Sequence, residues 1–494
     1  MLAHFLGLTD AADAFAAAFR IPNFLQNLFG EGVLSASFIP VYARLEAQGR
    51  HEESRRVAGA VAGLLGLAVA ALVALGVTTT PWLVYALAPG FAGAKRALAI
   101  ELVRILFPGV GLLVLTAWCM GVLNSHRKFF LSYAAPVVWN AAIIAATLLA
   151  GRGVASETLV LWAAWGAVAG SLLQLGIQVP RVWRLTGGIP LSVGGGDPNV
   201  RTVLSNFFPA FVSRGAVQIS AFIDAILASL LPTGAVAALA NAQTLYTLPV
   251  SLFGMSVAAA ELPELSAAAA TPESAHRALR ERLERGMRQV AYFIVPSAVA
   301  LAALGQVIAA AIFQTGVFTR ADSRYVWAIL AGSAVGLLAS TLGRLYSSAW
   351  YALHDTRTPL RYALIRVALT TGLGYLAAIQ LPPLVGLAPA WGAPGLTASA
   401  GVAGWVEFLL LRRGLDRRIG ATRLPAGYVV RLWAPALAAA AAGWGVLLGL
   451  QGRLGPIPTA VLVLAPFAAV YLGGTLLLDV PLARELTARL RPRV

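Results

Sequence analysis

Residues 9–43 read TDAADAFAAAFRIPNFLQNLFGEGVLSASFIPVYA, an apolar stretch that charged and amide side chains interrupt. Phenylalanine and alanine dominate it, as in a membrane helix, and Pro22 falls near its middle. A broken, amphipathic span of this kind is tolerated in a bilayer where it lines a cavity. We therefore expect a membrane protein in which this segment faces a polar interior. The interrupting residues include Asp13, Arg20, Asn23, Gln26, Asn27 and Glu31.

The composition of the whole chain is that of a membrane protein. Of its 494 residues, 59% are hydrophobic and only 12% are charged, whereas soluble domains carry about 25% charged residues. The net charge of +16 does not indicate nucleic-acid binding, because the basic residues lie in short segments between apolar runs rather than on one solvated face. Cys119 is the single cysteine, so no disulfide forms within the chain. No metal-ligand spacing and no common enzyme motif is present.

Twelve further runs are long and apolar enough to cross the hydrocarbon core, which needs roughly 20 residues. With residues 9–43 they make thirteen spans, while residues 1–7 are too short to cross. The twelve runs lie at about 57–87, 101–123, 129–150, 158–180, 204–231, 235–262, 289–313, 326–353, 361–381, 392–411, 428–450 and 457–478.

The segments between the runs alternate in charge. One set holds 26 Lys and Arg residues and the other holds 6; the richer set comprises the basic segments 44–56, 127–128, 181–201, 277–288, 357–366, 412–423 and 484–493. Positive charge stays in the cytoplasm, which predicts that the richer set, including the C-terminal tail, is inside. Thirteen spans would then leave Met1 outside. We therefore expect the natural reading frame to extend upstream by about 20–30 residues, the length of one more membrane helix.

Weak internal similarity at offsets of 223 to 229 residues predicts duplicated halves, as in many transporters. The Gly- and Pro-rich segment 186–199 is typical of a linker between them. The predicted domains are an N-lobe at 1–186, a C-lobe at 187–418, and two extra membrane helices with a cytoplasmic tail at 419–494.

Ionisable side chains within membrane spans are costly, so each is a hypothesis for function. Arg20 and Arg214 are candidates to hold an anionic group, because the forked donors of guanidinium match phosphate. The alternative is an arginine–carboxylate pair that only locks helices together. Asp13, Glu31 and Asn23 complete the predicted substrate-binding set.

A second set of candidates suits ion coupling or gating. Asp224 lies in the middle of an apolar run, which makes it a candidate to bind a proton or a cation. Glu261 and Glu264 flank Pro263 at a helix end, as a gate or a structural cap. Arg104 and Arg344 are further candidates, with snorkelling to an interface as the alternative.

Several motifs resemble the MurJ/MviN family, and the similarity extends over essentially the whole chain. The resemblance implies a lipid II flippase of the multidrug/oligosaccharidyl-lipid/polysaccharide superfamily, working by alternating access around a cationic cavity. The implied fold is all-α: two pseudo-repeated six-helix lobes plus two C-terminal helices, with about 13 helices here and most of the family's first helix missing. The motifs are DAF at 13–15, AFRIPNFL at 18–25, FGEG at 29–32, SASFIPV at 35–41, FQTG at 313–316, FT at 318–319 and DTRTP at 355–359.

The resemblance also implies partners and a place in the cell. These are lipid II and membrane lipids, no nucleic acid, a monomer, and the bacterial inner membrane. It implies no cofactor and no enzyme activity, with coupling to a sodium ion or to the membrane potential left open; the aspartate of sodium-coupled relatives matches Asp224.

The chain departs from the family pattern at several polar positions. Two arginines of the family's first motif are here Gln26 and Asn27, and an arginine and an acid of the eighth helix fall at Thr244 and Thr247. Asn ligands of the eleventh helix are replaced near Thr370 and Gly374, and the first-helix arginines would lie before Met1. These losses keep two alternatives open: a flippase or exporter of another lipid-linked polysaccharide or a drug, and a non-transporting membrane scaffold.

Overall fold

The computed structural model describes residues 1–29, 31–151, 153–190, 192, 196–255, 272–353, 355–450 and 452–490, and no strand occurs among them. The helices of the first half are α1 (Leu2–Leu6), α2 (Asp10–Phe29), α3 (Glu31–Ser37), α4 (Ile39–Ala47), α5 (His51–Leu87), α6 (Gly93–Ser125), α7 (Phe129–Leu149), α8 (Ser156–Thr186) and α9 (Pro198–Ser229). Those of the second half are α10 (Ala235–Pro249), α11 (Pro272–Phe313), α12 (Arg320–Ala352), α13 (Arg357–Tyr375), α14 (Leu381–Leu384), α15 (Gly392–Ile419), α16 (Ala426–Leu450), α17 (Pro456–Leu477) and α18 (Pro481–Leu490).

Short irregular helices join some of these elements. A π-helical turn at Val250–Met255 continues α10, and another at Leu376–Gln380 joins α13 to α14. Ten helices in the described ranges are long and apolar enough to cross a membrane. The all-α polytopic fold expected from the sequence is therefore confirmed.

The first predicted span is broken, as its composition indicates. It contains the helices α2, α3 and α4, and a turn at Phe38 separates α3 from α4. Pro22 lies inside α2, where it removes one backbone hydrogen-bond donor. Pro40 stands in the first turn of α4, where the missing N–H has no intrahelical partner to lose.

Contacts divide the chain into two compact units, one of Met1–Leu2 with Thr9–Val236 and the other of Ala3–Leu8 with Ala237–Val494. In the first unit, α2, α5, α7 and α8 pack on α6. Its core holds the buried side chains of Phe38, Tyr42 and Trp118 among aliphatic residues. Within lipid such packing, rather than a hydrophobic driving force, associates the helices.

In the second unit, α12 packs against both α11 and α15, and α16 pairs with α17. The latter pair also packs on α11, around a core that includes Tyr292, Phe467 and Tyr471. The hydroxyl of Tyr471 donates to the carbonyl oxygen of Tyr292 at 2.6 Å, so this buried phenol is satisfied. The boundary between the two compact units lies after Val236, so α9 belongs to the first unit. The lobe boundaries predicted at residues 186 and 418 come from the internal repeat, and they stay a prediction.

Several basic segments predicted as loops are helical instead. Residues 277–288 belong to α11, and residues 412–419 belong to α15. The apolar window ends where the hydrocarbon ends, but the backbone hydrogen bonds of a helix continue into the solvated region. Arginine is a good helix former and carries its charge into water there.

Candidate functional site

Asp13 lies in the first turn of α2 and is almost fully buried. Its Oδ2 atom accepts from Lys95 Nζ at 2.6 Å and from the backbone N–H of Gly234 at 2.7 Å. Lys95 stands at the start of α6 and also contacts Asp10 Oδ1 at 2.9 Å. Asp10 in turn accepts from the hydroxyl of Thr233 at 2.8 Å.

A cation of the same unit therefore compensates part of the negative charge at the acidic end of α2. One lysine bridges two carboxylates, and the chain just before α10 supplies two further donors. Acidic residues in a first helical turn also interact favourably with the helix dipole. This geometry fixes Asp13 to the start of α6, and its predicted contact with substrate stays a prediction.

Arg20 lies one-half of the way along α2 and is partly buried. The carboxylate of Asp224 on α9 acts electrostatically on its guanidinium. Two residues that the sequence predicts for different tasks, substrate binding and ion coupling, are thus brought together in the first unit. A guanidinium beside a carboxylate can exchange that partner for an incoming phosphate, and the released carboxylate can then accept a cation.

Asn23 lines a small cavity one turn beyond Arg20. The cavity has a volume of about 10 Å³ and is lined mostly by apolar side chains of α2, α6, α7 and α8, including Phe19, Pro22 and Trp139. That is close to the smallest space that holds one water molecule. Trp139 is fixed there because its indole N–H donates to the carbonyl oxygen of Ala167 at 3.0 Å.

The structure does not describe the side chains of four predicted site residues. Glu261 and Glu264 lie within 256–271, outside the described residues. The backbones of Glu31 and Arg214 belong to α3 and α9, but their side chains are outside the description.

The other in-span arginines named from the sequence have exposed side chains. Arg104 is on α6 and Arg344 is on α12. Thr244 and Thr247 occupy the positions where the family pattern has an arginine and an acid. Each threonine hydroxyl donates to the backbone carbonyl four residues earlier, Ala240 for Thr244 at 3.0 Å and Gln243 for Thr247 at 2.7 Å. This exposed face of α10 therefore presents hydroxyl groups and no charge at these two positions.

One charged pair was missed by the sequence analysis. Arg366 Nη1 on α13 donates to Glu407 Oε2 on α15 at 3.1 Å. The side chain of Glu407 is only 13% exposed and that of Arg366 is 37% exposed. Glu407 falls inside the predicted run 392–411, so the rule that ionisable residues in spans are functional hypotheses could have found it. Arg366 ends the basic segment 357–366, whose charge predicts the side of the membrane rather than a pairing within it.

In the part of the chain that the structure describes, no group of three or more His, Cys, Asp or Glu residues could hold a metal ion. The charged and polar groups of the described spans include guanidinium, ammonium, carboxylate and hydroxyl groups, which can bind anions and small cations.

Comparison with known proteins gives consistent matches over most of the chain. The family model described as "Lipid II flippase MurJ" matches residues 2–459. A protein of Burkholderia cenocepacia named "Lipid II flippase MurJ" is 32% identical over 426 residues, covering 85% of this chain and 80% of that protein. A "Probable lipid II flippase MurJ" of Rhizobium tropici is 31% identical over 469 residues, covering 92% and 84%.

Solved structures share the fold. A structure titled "Lipid II flippase MurJ, inward closed conformation" matches with a TM-score of 0.78 at 22% identity, over 98% of this chain and 95% of that one. An inward-facing MATE-family multidrug transporter of the MOP superfamily matches with a TM-score of 0.66 at 17% identity, over 84% and 93%. The extent of the family match and the identity to curated relatives together place the chain: it belongs to the lipid II flippase MurJ family.

Proposed function

We propose that this protein moves lipid II, the undecaprenyl-diphosphate-linked peptidoglycan precursor, from the cytoplasmic to the outer leaflet by alternating access. The observation that carries the proposal is the family match over residues 2–459. The similarity in fold to an inward closed MurJ and to an inward-facing MATE transporter supports the alternating-access part.

The task is binding and release, not bond making. The polyprenyl tail stays in the bilayer while the sugar–diphosphate head crosses a polar interior. The protein is therefore not an enzyme. Arg20 is the described residue best suited to the diphosphate, because it lies inside a broken span and its guanidinium forms forked bonds to phosphate oxygens. Arg214, Asn23, Glu31 and Asp13 complete the proposed substrate-binding set.

Asp224 is the proposed coupling residue. The carboxylate of Asp224 attracts the guanidinium of Arg20. A cation bound at Asp224 would weaken that attraction and leave Arg20 freer to bind phosphate. The coupling source is either sodium or the membrane potential, and replacing external sodium by choline while keeping the potential constant separates the two. Glu261 and Glu264 are proposed as gating residues.

The proposed orientation has the C-terminus in the cytoplasm of a bacterial inner membrane. The 26-to-6 split of Lys and Arg between the two sides supports it. We further propose that the protein acts as a monomer and has no nucleic-acid partner, since its basic residues are spread over the helix ends of one membrane side.

Rescue of a bacterium depleted of its own lipid II flippase tests the proposal. Expression of this chain should restore growth and cell shape, as the Burkholderia cenocepacia relative should in a parallel strain. A tag on the C-terminal tail reports whether the chain reaches the membrane. Membrane-inserted protein that fails to restore growth would contradict the proposal.

A second candidate function is export of a different lipid-linked polysaccharide or of a drug. The specific observation that favours it is the uncharged character of Gln26, Asn27, Thr244 and Thr247, which leaves fewer cations for a diphosphate. Failure in the rescue assay, combined with rescue of a strain that lacks a polysaccharide flippase, would favour this candidate.

A further inference from the structure

A pocket of about 500 Å³ lies where α12 ends, α13 begins and α15 ends, all within the second unit. It is lined by the side chains of seven residues, three of which are arginines. The lining residues are Leu353, Asp355, Thr356, Arg357, Thr358, Arg361 and Arg418. The residues proposed above for the transport cycle do not line it.

Asp355 organises one wall of the pocket. Its Oδ1 atom accepts from the backbone N–H groups of Arg357 at 3.1 Å and Thr358 at 3.0 Å, and its Oδ2 atom accepts from the Thr358 hydroxyl at 2.9 Å. The backbone and hydroxyl hydrogen bonds from Thr358, together with the charge and hydrogen bond of Arg418, hold the pKa of the Asp355 carboxyl below its ordinary value. The Asp355 side chain thus already caps the start of α13. The backbone N–H groups of Arg357 and Thr358 are therefore occupied, and a ligand in the pocket would bind to side chains instead.

Arg418 is held in place by two further groups. Its Nη2 atom lies 2.9 Å from Asp355 Oδ2, and its guanidinium carbon stacks 4.5 Å from the ring centroid of Trp350. The tryptophan is buried, and its indole N–H donates to the carbonyl oxygen of Leu411 at 3.2 Å. A cation fixed in this way loses little conformational freedom when a ligand arrives.

Arg357 and Arg361 stand one helical turn apart on α13, so they share a face of the helix. Both are exposed, and no carboxylate in the described part of the second unit forms an ion pair with either. The pocket therefore contains three guanidinium groups and one carboxylate, a surplus of two positive charges. Like charges at this spacing repel each other, and an anion between them would relieve that repulsion.

We propose that this pocket binds a phosphate group, with Arg357 and Arg361 as its ligands and Arg418 as the fixed third cation. Guanidinium pairs that converge on one space match the oxygens of phosphate. Two sources carry this chemistry: the headgroup of an anionic phospholipid in the adjacent leaflet, and a soluble compound such as pyrophosphate. The pocket lies on the arginine-rich side of the membrane, where anionic lipids attract basic clusters.

The test uses the purified full-length chain in a neutral detergent, titrated separately with phosphatidylglycerol, phosphatidylcholine and inorganic pyrophosphate. The thermal unfolding midpoint gives an apparent affinity, because a ligand that binds the folded state raises it. The variants are R357Q/R361Q, the charge-keeping R357K/R361K, and R320Q/R324Q as a matched control. Arg320 and Arg324 are also exposed, four residues apart and in the first turns of a helix, but they lie outside the pocket.

We expect phosphatidylglycerol or pyrophosphate, but not phosphatidylcholine, to raise the wild-type midpoint. R357Q/R361Q should weaken the apparent affinity by about tenfold or more, R320Q/R324Q by less than about twofold, and R357K/R361K by an intermediate factor. Response to phosphatidylglycerol alone identifies a lipid headgroup, and response to pyrophosphate identifies a soluble ligand.

Two results would overturn the proposal. Equal losses in R357Q/R361Q and R320Q/R324Q would indicate diffuse attraction by surface charge. An unchanged affinity in R357Q/R361Q would show that the ligand does not bind in this pocket. The readout is ligand binding rather than transport, so a failed rescue assay would leave this proposal standing and its own failure would leave the flippase proposal standing.

Discussion

Arg366 and Glu407 form an ion pair of 3.1 Å that joins α13 to α15 inside the second unit. Arg366 lies nine residues after the start of α13 and Glu407 lies twelve before the end of α15. At 1.5 Å per residue, the pair is about 14 to 18 Å from the shared end of the two helices. A charged side chain at such depth in a membrane protein is costly, and pairing with an opposite charge reduces that cost.

Removing either partner of this pair should destabilise the protein. Because Arg366 is partly exposed, the loss is expected at about 1–2 kcal/mol rather than the larger cost of breaking a fully buried pair. We expect Arg366→Gln and Glu407→Gln each to lower the thermal midpoint in detergent. The double variant should lose less than the sum of the two, because no unpaired charge remains. Additive losses, or single variants as stable as the wild type, would show that the pair contributes nothing.

The close approach of α12 and α15 should depend on Gly336. A Cβ atom added there would lie 2.4 Å from the Cα atom of Gly401, well inside contact distance with backbone. Gly336→Ala should therefore force the helices apart and cost about 1–3 kcal/mol. Gly343 on the same helix provides the control, since nothing lies within 4 Å of its added Cβ. If Gly336→Ala and Gly343→Ala shift the midpoint equally, the two helices do not pack as described.

The orientation can be tested with single cysteines in a Cys119→Ser background. Ala278 lies in the basic first part of α11, and Ala321 lies at the start of α12 beyond the far end of α11. We expect a membrane-impermeant maleimide added to intact cells to label Ala321→Cys and not Ala278→Cys, with both labelled after permeabilisation. The reverse pattern would invert the proposed topology.

Arg20 should be needed for transport and not for membrane insertion. Arg20→Ala is expected to abolish rescue of a flippase-depleted cell, since loss of a charge-assisted contact to phosphate costs about 1.5–3 kcal/mol. Arg20→Lys should rescue in part, because it keeps the charge and loses the forked geometry. Arg104→Gln removes an exposed in-span arginine and serves as the matched control. Full rescue by Arg20→Ala would assign that residue a structural role with Asp224.

The same experiment applies to Arg214, which the sequence predicts as a second cation for the diphosphate. Arg214→Ala should abolish rescue while the protein still reaches the membrane. Wild-type rescue by this variant would remove Arg214 from the proposed binding set.

Much of the fold could be predicted from the sequence because apolar run length and charge asymmetry act locally along the chain. The turn at Phe38 lies within residues 9–43, the segment whose prolines and polar residues predict a broken span. Pairings between distant residues could not be predicted in the same way. Asp13 meets Lys95 across 82 positions, and Arg366 meets Glu407 across 41. Such contacts depend on helix rotation and depth, which hydropathy does not encode.

The boundaries of the basic segments show the same limit. Hydropathy locates the hydrocarbon edge, but a helix ends where its backbone hydrogen bonds end. The arginines at 277–288 therefore lie on α11 and not in a loop. Their predicted side of the membrane does not depend on that difference, because the positive-inside bias acts on charge near the span.

The central claim is that the protein carries lipid II across the bilayer, and appearance of lipid II in the outer leaflet measures it most directly. Cells depleted of their own flippase and expressing this chain would be treated with an external, membrane-impermeant enzyme that cleaves the lipid-linked diphosphate. We predict that cleavage recovers to the level of undepleted cells with the wild-type chain and stays at the depleted level with Arg20→Ala. Lipid II that remains protected from the enzyme, in cells whose membranes contain the wild-type protein, would contradict the account.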